Sequence, residues 1–128
     1  MITEQPEIDL SILSEHFVTS GDYTKEVILN ELEYWQLHKD FLVLISGYPA
    51  SIDGFLIGYR NRNSLWISQT WRKTGTDIAT SRQAFEMAKE WARERGLTSI
   101  TGETDRKQMK AMARYGFKED AVLMKVIL

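Results

Sequence analysis

The stretch Ser64-Leu-Trp-Ile-Ser-Gln-Thr-Trp-Arg-Lys-Thr-Gly-Thr-Asp77 decides the fold, together with the helix predicted after it. Residues 65–71 alternate like a strand, and this alternation predicts that Trp66 and Trp71 lie on opposite faces. A basic turn follows, in which Gly75 can adopt a positive φ and lets a ligand approach the backbone. Because N–H groups at a helix start favour anions, this order indicates either a phosphate site or a plain strand–helix turn.

The helix predicted over 80–95 is the clearest in the chain. Thr80 with Gln83 fits a capping box, although the helix could begin a turn earlier at Thr76 or Asp77. A strand predicted over 97–101 would complete a strand–helix–strand crossover. Such crossovers are almost always right-handed and join parallel strands, so we expect strands 65–71 and 97–101 to lie side by side and parallel at the centre of the sheet.

The rest of the chain supplies elements on both sides of this unit. The pattern predicts one helix capped by Asp9, one over 24–38 and one from Asp105 to Gly116, with a chain break at 20–22. It predicts strands over 41–46, 52–59 and 121–128. Residues 1–7 are predicted to be loose or to form a short edge strand. We therefore expect an α/β (α+β) fold in one domain, 1–128, whose mixed, mostly antiparallel twisted sheet carries helices on both faces.

Composition limits the classes of function. The 128 residues carry a formal charge of −2, which argues against a nucleic-acid partner. The chain has no cysteine, which fits a reducing compartment, so we expect a cytoplasmic protein. No apolar run is long enough to span a membrane and the start lacks a signal-peptide pattern. Two distant histidines without cysteine make a poor metal site, and we expect no metal.

The ordered set of motifs resembles the Gcn5-related N-acetyltransferases, the GNAT family. The pyrophosphate loop of that family reads Gln/Arg-x-x-Gly-x-Gly/Ala, and residues 72–77 here read Arg-Lys-Thr-Gly-Thr-Asp. Asp77 departs from the final small position. Gly116-Phe117 matches the Gly-Phe that follows the fourth helix of the family, and the likeness covers about residues 40–128.

The resemblance implies a GNAT-like fold and acetyl-CoA as co-substrate. In the family, acetyl-CoA lies where two parallel strands splay apart, with its pantetheine beside the first strand and its pyrophosphate on the loop. Carried over to this chain, Thr70, Trp71 and Arg72 would line the pantetheine. The pyrophosphate would be held by Lys73, Thr74, Gly75 and Thr76.

The catalytic residues are less well matched. The family often takes its acid from a tyrosine four residues before the glycine of Gly-Phe, where this chain has Met112. Tyr115 is then the candidate acid, with a packing role as the alternative. The strand before the loop lacks the glutamate that often acts as base, so Glu103 after the next strand is the candidate base. The alternative for Glu103 is a solvated or capping carboxylate.

Two functions follow from this resemblance. The first is an acyl-CoA-dependent N-acetyltransferase that transfers an acetyl group to an amine of a small molecule or protein. The second is a catalytically degenerate GNAT-fold protein, of the kind carried by bacteriophages, that serves as a binding or structural module. The strand over 121–128 would expose apolar side chains and unpaired backbone groups at the edge of the sheet. We therefore also expect a homodimer, or a part of the same chain that covers this strand.

Overall fold

The computed structural model of the protein describes residues 1–19, 23–103, 118–120 and 123–128. The strands are β1 (Ile2–Glu4), β2 (Phe41–Ser46), β3 (Gly54–Asn61), β4 (Ser64–Arg72), β5 (Ser99–Glu103), β6 (Lys118–Asp120) and β7 (Leu123–Ile127). The helices are α1 (Lys25–His38) and α2 (Ile78–Glu94), preceded by two 3₁₀ turns at Leu10–Ile12 and Ser14–His16.

The seven strands form one sheet in the order β1-β2-β3-β4-β5-β7-β6. The described neighbours are antiparallel except β4 and β5, which pair in parallel through the α2 crossover. This arrangement confirms the predicted mixed, mostly antiparallel sheet and its central parallel pair. The last strand is also not an edge, because β7 lies between β5 and β6.

The sheet carries a core on each face. On one face, α2 packs its buried stripe against β2, β4 and β5, with Phe85, Ala88 and Trp91 as helix contacts. On the other face, the 3₁₀ turns and α1 pack against β2 and β3, with Leu13 and Leu32 fully buried. We call these the α2 face and the α1 face.

A β-bulge in β4 changes which side chains reach each face. Ile57 of β3 pairs with Gln69, but the next residue, Gly58, pairs with Ile67, so Ser68 is an extra residue in β4. An extra residue reverses the alternation beyond it. Trp66 and Trp71 consequently both pack against the α1-face core, and the prediction that they lie on opposite faces is wrong.

The element boundaries differ from the predictions in identifiable ways. Asp9 caps as expected, accepting from the Ser11 N–H at 3.0 Å, but the segment after it forms 3₁₀ turns instead of one helix. The α2 helix begins at Ile78 with Asp77 as its N-cap, so the capping box at Thr80 is wrong and the earlier start is correct. The predicted break at 20–22 and the helix from 105 to 116 lie outside the described residues.

Candidate functional site

The sheet opens between β4 and β5. The parallel pairing runs from Ser64 opposite Ser99 to Ile67 opposite Gly102, while β4 continues to Arg72 beside β3. The β5 strand continues beside β7 instead. The β5-facing edge of residues 68–72 therefore has no partner strand in the described part of the chain. We call the gap that the described residues leave there the cleft.

Gly102 marks the point where the two strands separate. A Cβ added at this glycine would lie 3.2 Å from the carbonyl oxygen of Ile67. The absence of a side chain therefore lets β5 stay close to β4 at its last paired position. The cleft has a closed end at Ile67 and an open end at the turn after Arg72.

The turn at the open end is tied to β3 but keeps unpaired backbone donors. The carbonyl of Asp53 accepts from the Lys73 N–H at 2.8 Å and from the Thr76 hydroxyl at 3.4 Å. Gly75 has φ 90°, and an added Cβ would meet nothing within 4 Å. Within the described residues, the N–H groups of Thr74 and Gly75 have no protein acceptor.

The charges around this turn oppose one another. Arg72 and Lys73 are exposed, and Arg72 Nη1 donates to Ser81 Oγ of α2 at 3.4 Å, so the guanidinium lies on the α2 face. Asp77 is exposed too, and its Oδ1 accepts from the Ala79 N–H at 3.0 Å. A carboxylate thus satisfies a helix-start donor that a bound anion would otherwise use.

The α1 face of the same part of β4 is covered by three consecutive residues. The His16 ring stacks on Trp71 with centroids 3.6 Å apart, and Phe17 packs edge-on against Phe55. Gln69, buried at 8% exposure, accepts from the Val18 N–H through Oε1 at 2.8 Å and donates from Nε2 to the Val18 carbonyl at 3.3 Å. We call residues 16–18 the covering segment.

The structure describes all but one of the predicted site residues. Residues 70–76 form one continuous segment, which runs along the cleft edge of β4 and through the turn. Glu103 is the last residue of β5, where its backbone pairs with Leu123. Tyr115, the candidate acid, and Met112 lie outside the described residues. The pairing of Gln69 with Val18 leaves no signal in the sequence, because no short-range pattern connects residues 51 positions apart.

A titratable cluster lies away from the cleft. Burial raises the pKa of Tyr59 to about 12, and the carboxylate of Glu31 adds to the shift. Glu31 also accepts from the Trp35 indole at 3.3 Å, and the Lys39 ammonium lies 4.4 Å from the Trp35 ring. The ammonium is thereby held against the aromatic faces of this cluster, which is consistent with a packing role at the end of α1.

The described residues contain neither a metal-binding cluster nor a membrane-spanning helix. No three histidine or carboxylate side chains come together in a way that could hold a metal ion. Neither described helix combines the length and apolar composition that a membrane-spanning helix needs.

The fold matches that of solved acetyltransferases. The PaiA N-acetyltransferase of Thermoplasma acidophilum, in complex with coenzyme A, superposes with a TM-score of 0.71 at 18% identity, over 100% of this chain and 99% of that one. An IAA acetyltransferase from Bacillus cereus gives 0.72 at 13% identity, again over 100% and 99%. A GNAT-family acetyltransferase from Staphylococcus aureus gives 0.69 at 16% identity, also over 100% and 99%.

These comparisons confirm the GNAT-like fold that the sequence predicted. No protein-family model and no curated protein sequence matches the chain. At identities below one fifth, the likeness shows the fold, and the chemistry has to be argued from the cleft itself.

Proposed function

We propose that this protein is an acetyl-CoA-dependent N-acetyltransferase that acts on an amine of a small molecule or protein. The observation that carries the proposal is the cleft between β4 and β5, whose open end is the cationic turn before α2. An extended pantetheine chain can pair with the free edge of 68–72 as an added strand would. The solved Thermoplasma acidophilum relative holds coenzyme A, which supports the same ligand here.

The residues of the turn fit a pyrophosphate, with one exception. Arg72 and Lys73 supply two cations, and the Thr74 and Gly75 N–H groups supply donors beside a glycine with open space around it. Asp77 opposes the fit through its negative charge. Acetyl-CoA would supply an activated acetyl group, and this chain would bind and orient it, with Glu103 and Tyr115 remaining the candidate base and acid.

The second function, a GNAT-fold module without catalysis, is favoured by one observation. The Asp77 carboxylate already caps the helix start where the family leaves room for phosphate. If this carboxylate excludes the ligand, the cleft would not bind acetyl-CoA. The two functions therefore differ in a measurable property of one turn.

Calorimetry with acetyl-CoA tests the proposal directly. Arg72→Ala removes a charge-assisted contact of about 1.5–3 kcal/mol, so we expect the Kd to rise about ten- to a hundredfold. Arg93→Ala is the matched control, because Arg93 is an exposed arginine near the other end of α2. Absence of heat with wild-type protein, under conditions where it is folded, would favour the non-catalytic module.

Transfer can be followed without knowing the natural acceptor. The chain has no cysteine, so a thiol reagent detects released CoA without background from the protein. A diamine, benzylamine and a lysine-containing peptide represent three classes of amine. We expect release above the rate in buffer with at least one of them. Binding of acetyl-CoA without release for any of the three would favour the module.

Three expectations from the sequence remain predictions. A homodimer can be tested by light scattering at micromolar concentration; β7 is already paired on both sides, but Ile127 is 69% exposed. Cell fractionation would test the cytoplasmic location. The expected absence of a nucleic-acid partner can be checked by a binding assay with duplex DNA and RNA at low salt.

A further inference from the structure

Gln69 is a buried amide with an unusual pair of partners for a strand residue. Both polar atoms of its side chain are used by one residue, the N–H and the carbonyl of Val18. The amide therefore bonds the Val18 backbone as a neighbouring strand would, and it fixes the backbone of a segment 51 positions away. The two bonds use one lone pair of the amide oxygen and one of the two amide protons. A neutral carboxamide neither gains nor loses a proton near neutral pH, so we assign Gln69 no acid–base role.

The location of this contact relates it to the cleft. Gln69 is two residues beyond Ile67, where β5 closes the free edge of β4, and it directly follows the bulge at Ser68. If a pyrophosphate is held at the turn, a chain following the edge of β4 toward the split ends near this point. The acetyl group would therefore lie at the closed end of the cleft, near the point where Gln69 holds Val18. We call this the reactive end.

Arg72 and the covering segment lie on opposite faces of the sheet beside the cleft. Arg72 bonds Ser81 on α2, so the cationic end of the cleft belongs to the α2 face. The covering segment lies on the α1 face, and there the Val18 side chain is 62% exposed. An acceptor that arrives from the α1 face meets this side chain.

We propose that Gln69 is a positioning residue, which holds Val18 of the covering segment at the acceptor side of the reactive end. The proposal rests on the proposed function, since it presumes that acetyl-CoA occupies the cleft. Gln69 acts through Val18 and does not touch the reacting atoms. Gln69 can reach Val18 because the bulge at Ser68 places its side chain on the α1 face. Without the bulge, the alternation of β4 would direct the Gln69 side chain toward α2.

Proximity labelling tests the position of Val18 without an acceptor. The chain has no cysteine, so Val18→Cys introduces a single thiol. Bromoacetyl-CoA places an electrophilic carbon at the acetyl position. The thiolate attacks that carbon, the C–S bond forms as the C–Br bond breaks, bromide leaves, and the thioester to CoA stays intact. Val27→Cys is the matched control, because Val27 is an exposed valine on α1.

Rates with bromoacetyl-CoA are divided by rates with iodoacetamide, which corrects for the intrinsic reactivity of each thiol. We expect this ratio to be at least about tenfold higher for Val18→Cys than for Val27→Cys, because binding raises the local concentration of the reagent. Excess acetyl-CoA should suppress the difference. Equal ratios in a protein that binds acetyl-CoA would overturn the placement of Val18.

A second substitution tests the role of Gln69. In the Val18→Cys background, Gln69→Leu removes both bonds. We expect the labelling ratio to fall several-fold, and by more than any loss of acetyl-CoA affinity measured in parallel, because the backbone edge of residues 68–72 is retained. Gln69→Glu keeps the acceptor for the residue-18 N–H but loses the donor, so we expect an intermediate ratio. A purely structural role predicts reduced thermal stability with an unchanged ratio, and that result would overturn the proposal.

The outcomes separate the inference from the function beneath it. Wild-type protein that binds no acetyl-CoA overturns both. Binding with equal labelling ratios, or with a ratio insensitive to both Gln69 variants, overturns only the inference. If Gln69→Leu does not fold, the Gln69→Glu comparison decides alone, because this isosteric change retains one of the two bonds.

Discussion

Replacing Asp77 with asparagine should strengthen acetyl-CoA binding while leaving the helix cap in place. Asparagine caps as well as aspartate, so the acceptor for the Ala79 N–H, now at 3.0 Å, is retained. Asp77 is exposed, so a water-like dielectric applies. Two unit charges about 6 Å apart then repel by about 0.7 kcal/mol, and two phosphate charges by about 1.4 kcal/mol, which is about tenfold in affinity.

The measurement is calorimetry of wild type, Asp77→Asn and Asp77→Gly at low and high salt. We expect the asparagine variant to bind about tenfold tighter at low salt and the advantage to shrink at 0.5 M salt, as screening requires (about 4 Å Debye length). The glycine variant should also bind tighter, with a cap loss of a few tenths of a kcal/mol. Equal affinities in wild type and Asp77→Asn would refute the charge argument, and a gain confined to Asp77→Gly would assign the effect to space.

Three further predictions concern stability. Gly75→Ala and Gly96→Ala should each lower the free energy of unfolding, measured in urea, by about 1–2 kcal/mol. Both glycines have a positive φ and neither added Cβ meets anything within 4 Å, so the cost comes from the backbone alone. Only Gly75→Ala should weaken acetyl-CoA binding in calorimetry. Gly58→Ala should cost about 1–3 kcal/mol, because its Cβ would lie 2.7 Å from a carbonyl of β4. The pKa of Tyr59 is about 12 in the folded protein and 10 in the unfolded chain, so between these pH values the folded state keeps a proton that the unfolded chain loses. The resulting contribution to stability is complete below pH 10 and is lost as the pH rises toward 12. Urea midpoints should fall over this range in wild type and not in Tyr59→Phe.

The central crossover could be predicted because its signals are local and agree with one another. Alternation over 65–71, a glycine in the turn and an amphipathic stripe over 80–95 each point to the same strand–helix–strand unit. Handedness then fixes the parallel neighbour without further information. The structure confirms this pair as β4 and β5. The motif around Gly75 was predictable for the same reason, because it lies inside that unit.

The capping of α2 was harder to predict, because several adjacent residues could serve. Thr80 with Gln83 satisfies the sequence pattern of a capping box, yet the carboxylate of Asp77 bonds the Ala79 N–H one turn earlier. The choice depends on where the chain leaves β4, which is fixed by the bonds of Lys73 and Thr76 to the Asp53 carbonyl. Residues about 20 positions away therefore decide the helix start, and no local pattern contains them.

The bulge at Ser68 shows why the side chains on the α1 face of the cleft could not be predicted from the alternation of side chains. A strand pattern assumes a period of two, and one extra residue exchanges the faces of every side chain beyond it. Here that exchange brings Trp71 beneath His16 and turns Gln69 toward Val18. Gln69, on a strand that lacks the glutamate of the GNAT family, thus anchors the covering segment. In this fold the cleft opens directly beyond the bulge, so the residues whose faces are exchanged are the ones that line it.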